Sequence, residues 1–143
     1  MSSTTLVPVE EYLRYSEKPN CEYREGVLYP KPMPTTFHGL LEFMLVLMLR
    51  KLGLQAAPEV TVRLTPTKYL VPDVIAATVL RGPCPTEPVL LCCEILSPED
   101  RLGAMLAKCE EYHAWGVPFC RRLRANEFSV SLEDLFSVLD NAS

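Results

Sequence analysis

Two carboxylates lie within apolar segments of the chain, where an ionised side chain is expected to need a stabilising partner. Asp73 occurs in the segment LVPDVIAATVL, and Glu94 occurs in the segment VLLCCEILS. A buried carboxylate is costly without a cation, a metal ion or hydrogen-bond donors beside it. A divalent cation would relieve the repulsion between two such acids on adjacent strands, and Mg²⁺ prefers hard oxygen ligands. The pair would suit Mg²⁺- or Mn²⁺-assisted hydrolysis of a phosphodiester, with the metal on Asp73 and Glu94.

A lysine on the following helix can reach the same level of the sheet. From Glu94 to Pro98 a strand advances about 13 Å at ~3.3 Å per residue. From Pro98 to Lys108 a helix returns about 15 Å at ~1.5 Å per residue. Lys108 is thus expected to position or activate water and to steady the leaving charge. Tyr112 and Arg101 share its helix face, where Tyr112 would fix Lys108 or a phosphate and Arg101 would hold the substrate backbone.

Each of these residues also has an ordinary structural interpretation. Asp73 could cap a turn after Pro72, and Glu94 could form a plain buried ion pair with Arg63. Lys108, taken alone, is typical of a solvated helix residue. The three residues together, in one order and with matching reach, favour the catalytic interpretation.

The hydrophobic pattern predicts a mixed α/β domain with helices packed on a sheet. The predicted elements are a helix over 9–16, a hairpin over 21–29, a helix over 37–52, strands over 59–64, 70–80 and 89–96, a helix over 97–115, and a tail over 119–143 with a helical piece at 132–139. Thr36 and Ser97 are the expected N-caps of the two long helices. Gly53 and Gly116 are their expected C-terminal glycines.

The helix predicted over 37–52 is apolar on nearly every side. Such a helix must be covered all round, by the sheet on one side and by something else on the other. A second copy of the chain is one candidate for that cover, which predicts a homodimer.

Composition sets broader limits. The 143 residues, of which 48% are hydrophobic and 22% charged, are typical of one soluble globular domain. The net charge of −4 argues against a strongly basic nucleic-acid binder but permits a local basic strip. The N-terminus lacks the pattern of a signal peptide, so we expect a cytoplasmic protein. The six cysteines form no C-x-x-C pair and are expected to be small buried hydrophobes.

The segment Pro72-Asp73 followed by Glu94-Ile-Leu-Ser-Pro resembles the PD-(D/E)XK nuclease superfamily. More closely, the chain resembles the Uma-type restriction-endonuclease family, long filed as a domain of unknown function. The resemblance covers about residues 7–118, and its pieces are VEEYL, CEYREGVLY, TTFHGLLEFML, PDV, CEILSP, the K-x-x-x-Y of Lys108 and Tyr112, and GVP. It implies a restriction-endonuclease-like αβββαβ core preceded by an N-terminal helix and hairpin.

The resemblance also implies a divalent metal on Asp73 and Glu94, with supporting roles for Glu22 and His38. The superfamily usually places its lysine two residues after the glutamate, where this chain has Leu96. Lys108 looks like the lysine that has migrated to the next helix in this branch.

Two of the residues whose roles are implied by the resemblance also have a structural interpretation. His38 could make a hydrogen bond at the helix terminus. Glu22 could form a cross-strand pair with Arg24 or Lys31.

The chain departs from the family pattern after GVP. There the family continues with a strand like Y-W-L-V-D-P, whereas this chain reads FCRRLRANEFSVSLEDLF. We therefore expect the last core strand and its hairpin to be missing, with a sheet edge left open or closed by a second subunit.

The first functional hypothesis is a metal-dependent endonuclease acting on DNA. The alternative is a catalytically degenerate relative that serves as a nucleic-acid-binding or protein-interaction module, which the net acidity and the altered C-terminal part favour. A third hypothesis, a purely structural dimer module, depends only on the apolar helix.

Overall fold

The computed structural model describes residues 5–14, 20–97 and 100–124. The helices are α1 (Val9–Leu13), α2 (Thr36–Lys51) and α3 (Leu102–Trp115). The strands are β1 (Cys21–Arg24), β2 (Val27–Pro30), β3 (Gln55–Pro58), β4 (Val62–Thr65), β5 (Lys68–Leu70), β6 (Val74–Ala77), β7 (Leu91–Leu96) and β8 (Phe119–Arg124). They form two sheets, ordered β2-β1-β5-β4 and β3-β6-β7-β8.

The second sheet carries the αβββαβ core. Helix α2 leads into the antiparallel strands β3, β6 and β7, and α3 then crosses over to β8, which pairs with β7 in parallel. A parallel pair needs a crossover of this kind. The β4–β5 hairpin is inserted between β3 and β6 and joins the first sheet beside β1. The mixed α/β prediction is confirmed, with an additional sheet.

Alternation along β7 decides which side chains face which helix. Leu91, Cys93 and Ile95 pack in the core cluster that includes α2. Cys92 packs on the opposite side, in the cluster that includes residues of α3. Glu94 is two residues after Cys92 and therefore projects from the same face of the strand, toward α3.

Two of the predicted strands are divided differently in the structure. The strand predicted over 59–64 is wrong at its start, because Glu59 has a φ of 54° and lies between β3 and β4. The strand predicted over 70–80 is two strands in different sheets, with the chain crossing between them at Pro72. Proline has no N–H to donate to a ladder, so continuous pairing ends there.

Helix α2 begins one residue earlier than predicted. Its N-cap is Thr35 and not Thr36, because the Thr35 hydroxyl oxygen accepts a hydrogen bond from the His38 backbone N–H at 3.1 Å. Gly53 follows the helix with a φ of 87°, a conformation that favours glycine.

Helix α3 begins later than predicted, and Ser97 is not its N-cap. The Asp100 carboxylate accepts hydrogen bonds from the Ser97 N–H at 2.7 Å and the Ser97 hydroxyl at 3.1 Å, so the Ser97 hydroxyl is engaged by Asp100 before the helix begins. The helix starts at Leu102 and ends before Gly116, whose φ is 123°. Residues 98 and 99 lie outside the described part of the chain.

The expectation that the last core strand is missing is wrong. Strand β8 pairs with β7 along its whole length, from Leu91 opposite Phe119 to Leu96 opposite Arg124. Phe119 and Leu123 pack against the α2-side core, while Cys120 packs on the other side. These apolar contacts on both faces stabilise the strand despite its three arginines.

The helical piece expected at 132–139, like residues 15 and 16 of the first predicted helix, lies outside the described residues.

One face of α2 is covered and another is exposed. Leu45 and Leu49 are buried in the core, whereas Phe43 and Leu47 are 66% and 45% exposed. The second cover that the sequence predicts is therefore not supplied by the described part of this chain.

The six cysteines are free thiols, five of them buried and Cys84 partly buried, as expected for small core hydrophobes. Among the helices in the described ranges, none is long and apolar enough to cross a membrane.

Candidate functional site

A cleft of about 960 Å³ is lined by residues from both sheets and from α2 and α3. Its charged lining residues are Glu22, Arg24, Lys31, His38, Glu42, Glu59, Asp73, Glu94, Asp100, Lys108 and Glu111. Five residues singled out from the sequence thus meet there: Glu22, His38, Asp73, Glu94 and Lys108. The cleft is a concave and mainly apolar site with convergent polar groups, as ligand sites usually are.

Asp73 lies just before β6 and is 2% exposed. One carboxylate oxygen, Oδ2, accepts a hydrogen bond from the backbone N–H of Ile95 on β7 at 2.6 Å. The other, Oδ1, accepts from Lys31 Nζ at 2.7 Å. Burial alone would raise the pKa of Asp73, but the contacts with His38 and Lys31 hold it well below its usual range. Asp73 is therefore an ionised group that links two strands, and not the cap of a local turn.

Asp73 belongs to a cluster with His38, Glu42 and Glu59, in which one ligand atom of each lies within 4.8 Å of the others. His38 Nε2 lies 3.1 Å from Glu42 Oε2, 3.4 Å from Asp73 Oδ1 and 3.7 Å from Glu59 Oε1. Hydrogen bonds with Asp73, Glu42 and Glu59 raise the pKa of His38 to about 11. The imidazole thus faces three acids, beyond the helix-terminal role considered from the sequence.

Lys31 places a cation inside this cluster. Its Nζ lies 2.7 Å from Asp73 Oδ1 and 3.0 Å from Glu59 Oε2, and it donates to the Val71 carbonyl oxygen at 2.8 Å. Burial opposes the charge, but Asp73, Glu94 and Glu59 raise the pKa of Lys31, so it remains an ammonium.

Sequence reasoning missed Lys31, Glu42 and Glu59 as site residues. Glu42 had a detectable signal, because it is the one acid in the apolar run 40–49 and lies one turn after His38. Glu59 had none, since it was assigned to a regular strand. Lys31 was considered only as a partner of Glu22.

Lys108 lies between two buried acids. Its Nζ is 2.7 Å from Glu22 Oε2 and 3.0 Å from Glu94 Oε1. The Tyr112 hydroxyl donates to Glu94 Oε1 at 2.8 Å, and Glu22 Oε2 also accepts from the Val71 N–H at 2.7 Å. Glu94 therefore pairs with Lys108 instead of Arg63, and Glu22 pairs across to α3 instead of along its own hairpin.

The protonation of this group follows from its burial. Burial raises the pKa of Glu94 to about 7, against the effect of Lys108, and Asp73 adds to the rise. For Lys108, burial opposes the charge, but Glu94 and Glu22 raise its pKa. Burial also raises the pKa of Tyr112 well above its ordinary value. At neutral pH Lys108 and Tyr112 are therefore proton donors in hydrogen bonds and not bases.

Arg101 is the one predicted site residue that the structure leaves apart. It is the N-cap of α3, is exposed, and is absent from the lining of the cleft. The physical reason is the late start of the helix, which removes the turn that would have set Arg101 on the face of Lys108.

The donor set fits a hard divalent cation. Around Asp73 and Glu94, the acids Glu22, Glu42 and Glu59 bring the carboxylates to five, against two ammonium groups and one imidazole. Carboxylate oxygens with one imidazole nitrogen suit Mg²⁺ or Mn²⁺. The metal pair predicted from the sequence, Asp73 with Glu94, and the four-residue cluster share Asp73.

A family model described as "Putative restriction endonuclease" (Uma2) matches residues 9–121. The crystal structure of a "putative nuclease belonging to DUF820" from Anabaena variabilis ATCC 29413 has a similar fold, with a TM-score of 0.70 at 19% sequence identity over 80% of this chain and 72% of that one. No functionally curated protein matches the chain. Since the family model spans most of the sequence, the chain belongs to the Uma2 family of restriction-endonuclease-like proteins.

Proposed function

We propose that this protein is a metal-dependent endonuclease that hydrolyses phosphodiester bonds in DNA. The observation that carries the proposal is Asp73, an ionised carboxylate that lines the same cleft as Glu94 and belongs to the cluster with His38, Glu42 and Glu59. Membership of a restriction-endonuclease-like family supports a nucleic-acid substrate.

In this proposal Asp73 and Glu94 hold Mg²⁺ or Mn²⁺, with Glu59, Glu42 and His38 clustered around Asp73. A metal bound there would stabilise charge on the phosphoryl oxygens and lower the pKa of the attacking water. The protein already stabilises a cation at this point, because the Lys31 ammonium contacts both Asp73 and Glu59.

The remaining residues act through position and charge. Lys108 would donate from its ammonium to an oxygen of the scissile phosphate or to the attacking water, as an electrostatic group aimed at developing charge. Glu22 accepts from Lys108 and from the Val71 N–H, which fixes the ammonium against the first sheet. Tyr112 fixes Glu94 through its hydroxyl. Glu22 and Tyr112 are therefore positioning residues.

The degenerate-module alternative loses one of its two supports. It relied partly on the absence of the last core strand, and β8 is present in full contact with β7. The acids and the lysine of the site also lie within hydrogen-bond reach of one another. These observations favour the enzyme over the binding module.

The proposal is tested by calorimetric titration of the protein with Mg²⁺ and Mn²⁺, alongside plasmid nicking. We expect Asp73→Asn to weaken metal binding at least about tenfold, since an amide replaces an anionic ligand, and to abolish nicking. Glu87→Gln is the matched control, because Glu87 is exposed and lies outside the cleft lining.

Metal binding that is indifferent to Asp73, or the absence of binding at millimolar metal, would contradict the proposed site. Binding that is lost in Asp73→Asn but accompanied by no nicking in the wild-type protein would favour the non-catalytic module.

We further propose that the enzyme is a homodimer formed through the exposed face of α2, so that both strands of a duplex are cut. The apolar residues on that face include Leu40, Phe43 and Leu47. We expect Leu47→Glu to shift the protein from dimer to monomer in sedimentation velocity, because it buries a charge in an apolar contact. Val79→Glu, at an exposed apolar site outside α2, is the control. A wild-type protein that sediments as a monomer would contradict this part of the proposal.

A further inference from the structure

The part of the cleft next to Lys108 contains a second group of charges that the proposed chemistry does not use. Arg24 Nη1 contacts Glu111 Oε1 at 2.6 Å and also contacts Oε2. Lys68 Nζ lies 3.0 Å from the same Glu111 Oε2. Arg24 and Glu111 both line the cleft, and Lys68 contacts Glu111 from outside that lining. One carboxylate is therefore shared by two cations, and the group has a net positive charge.

The positions of these residues tie them to the site. Glu22 and Arg24 are two apart on β1 and so project from the same face of the strand. Lys108 and Glu111 are three apart on α3 and are neighbours on the helix surface. The strand and the helix thus face each other through two reversed ion pairs, Glu22 with Lys108 and Arg24 with Glu111. Lys68 lies beside Arg24 because the two are partners in the β1–β5 ladder.

Arg24 keeps unused binding capacity in this arrangement. A guanidinium has five N–H donors, and the contacts with Glu111 use Nη1 only. Within the described ranges, Nε and Nη2 of Arg24 have no hydrogen-bond partner. Its side chain is 27% exposed, and that of Lys68 is 28% exposed, so incoming groups can reach both. A guanidinium fork with free donors is well suited to phosphate oxygens.

The cleft is therefore electrically polarised. One side, around Asp73, has an excess of carboxylates and suits a cation. The other side, around Arg24, has an excess of positive charge and suits an anion. A polynucleotide that places its scissile phosphate at Lys108 would bring a neighbouring phosphate toward Arg24.

We propose that Arg24 and Lys68, held together by Glu111, form a phosphate-binding subsite that takes a polynucleotide phosphate next to the one that is cleaved. This inference depends on the proposed nuclease function. Glu111 limits the subsite, because it neutralises one of the two cations before the substrate arrives.

The test is equilibrium binding of a short labelled DNA duplex, measured by fluorescence anisotropy at several salt concentrations, with Ca²⁺ replacing Mg²⁺ to limit cleavage. We expect Arg24→Gln to weaken binding about tenfold, the usual scale for a hydrogen bond to a charged group. The slope of log affinity against log salt should fall by about one, since one phosphate contact is lost. Glu111→Gln should tighten binding, because it frees both cations.

Arg81→Gln serves as the matched control, since Arg81 is exposed and outside the cleft lining. Arg24→Lys should recover part of the affinity and the salt slope, which a purely structural role would not do. If Arg24→Gln behaves like Arg81→Gln while the wild-type protein binds DNA and cleaves it in Mg²⁺, the subsite is wrong and the nuclease proposal stands. If the wild-type protein neither binds nor cleaves DNA, both fall.

Discussion

Lys108→Met is expected to lower the free energy of unfolding by about 3–5 kcal/mol, the usual cost of breaking a buried ion pair by removing one partner. Lys108 is 6% exposed, and it is the shared cation of Glu22 and Glu94. Without it, two buried acids lie next to each other with only Tyr112 and the Val71 N–H as donors. Urea denaturation of the metal-free protein measures the loss.

The same substitution is expected to reduce plasmid nicking by about 10³-fold or more, on the scale of losing a group aimed at transition-state charge. Activity is measured without urea, at a temperature where the variant remains folded as judged by circular dichroism. Lys51→Met is the matched control, because Lys51 is exposed at the end of α2. A loss of stability below about 1 kcal/mol would show that the ammonium contributes little to the fold, and unchanged nicking would remove Lys108 from the mechanism.

The central residues of the site could be predicted because their signals are local. Asp73 and Glu94 are acids inside apolar strands, and such placements are visible in the sequence. The position of Lys108 near Glu94 could be predicted from the rise per residue of a strand and a helix, although the helix starts later than predicted.

The other residues of the site could not be predicted because their contacts are set by topology. Lys31 and Glu59 are 28 residues apart and meet through the pairing of separate elements. Glu59 itself adopts a positive φ, which the sequence does not indicate because the residue is not a glycine. The crossing from one sheet to the other at Pro72 also separates a continuous apolar run into β5 and β6, which periodicity alone cannot show.

Strand β8 illustrates the opposite error. Its departure from the family pattern suggested a missing strand, but Phe119, Cys120 and Leu123 provide apolar contacts on both sides of the sheet. Exposed arginines are compatible with a strand at a sheet edge, where charge also discourages pairing with other chains.

Glu94→Gln is expected to leave the fold intact while it reduces nicking by about 10³-fold. The glutamine oxygen can accept the hydrogen bond from Tyr112 that Glu94 Oε1 accepts, and it keeps a polar oxygen next to the Lys108 ammonium. An amide, however, supplies neither an anionic metal ligand nor a proton acceptor. Glu87→Gln, outside the cleft lining, is the control for an exposed glutamate.

The difference in stability between the wild-type protein and Glu94→Gln should depend on pH in a way that identifies the burial of the acid. Burial raises the pKa of Glu94 from 4.5 to about 7, so the unfolded chain ionises this group first as pH increases. The wild-type protein therefore loses stability relative to the variant between about pH 4.5 and pH 7, and the difference is constant above that range. Urea denaturation in EDTA at pH 5 and pH 8 measures this. If Glu94→Gln destabilises the protein as much as Lys108→Met at both pH values, the pair is a structural ion pair that needs its full charge, and a loss of nicking in this variant would report unfolding instead of a missing metal ligand. If the variant keeps its stability and loses nicking, Glu94 contributes to the reaction and not to the stability of the fold.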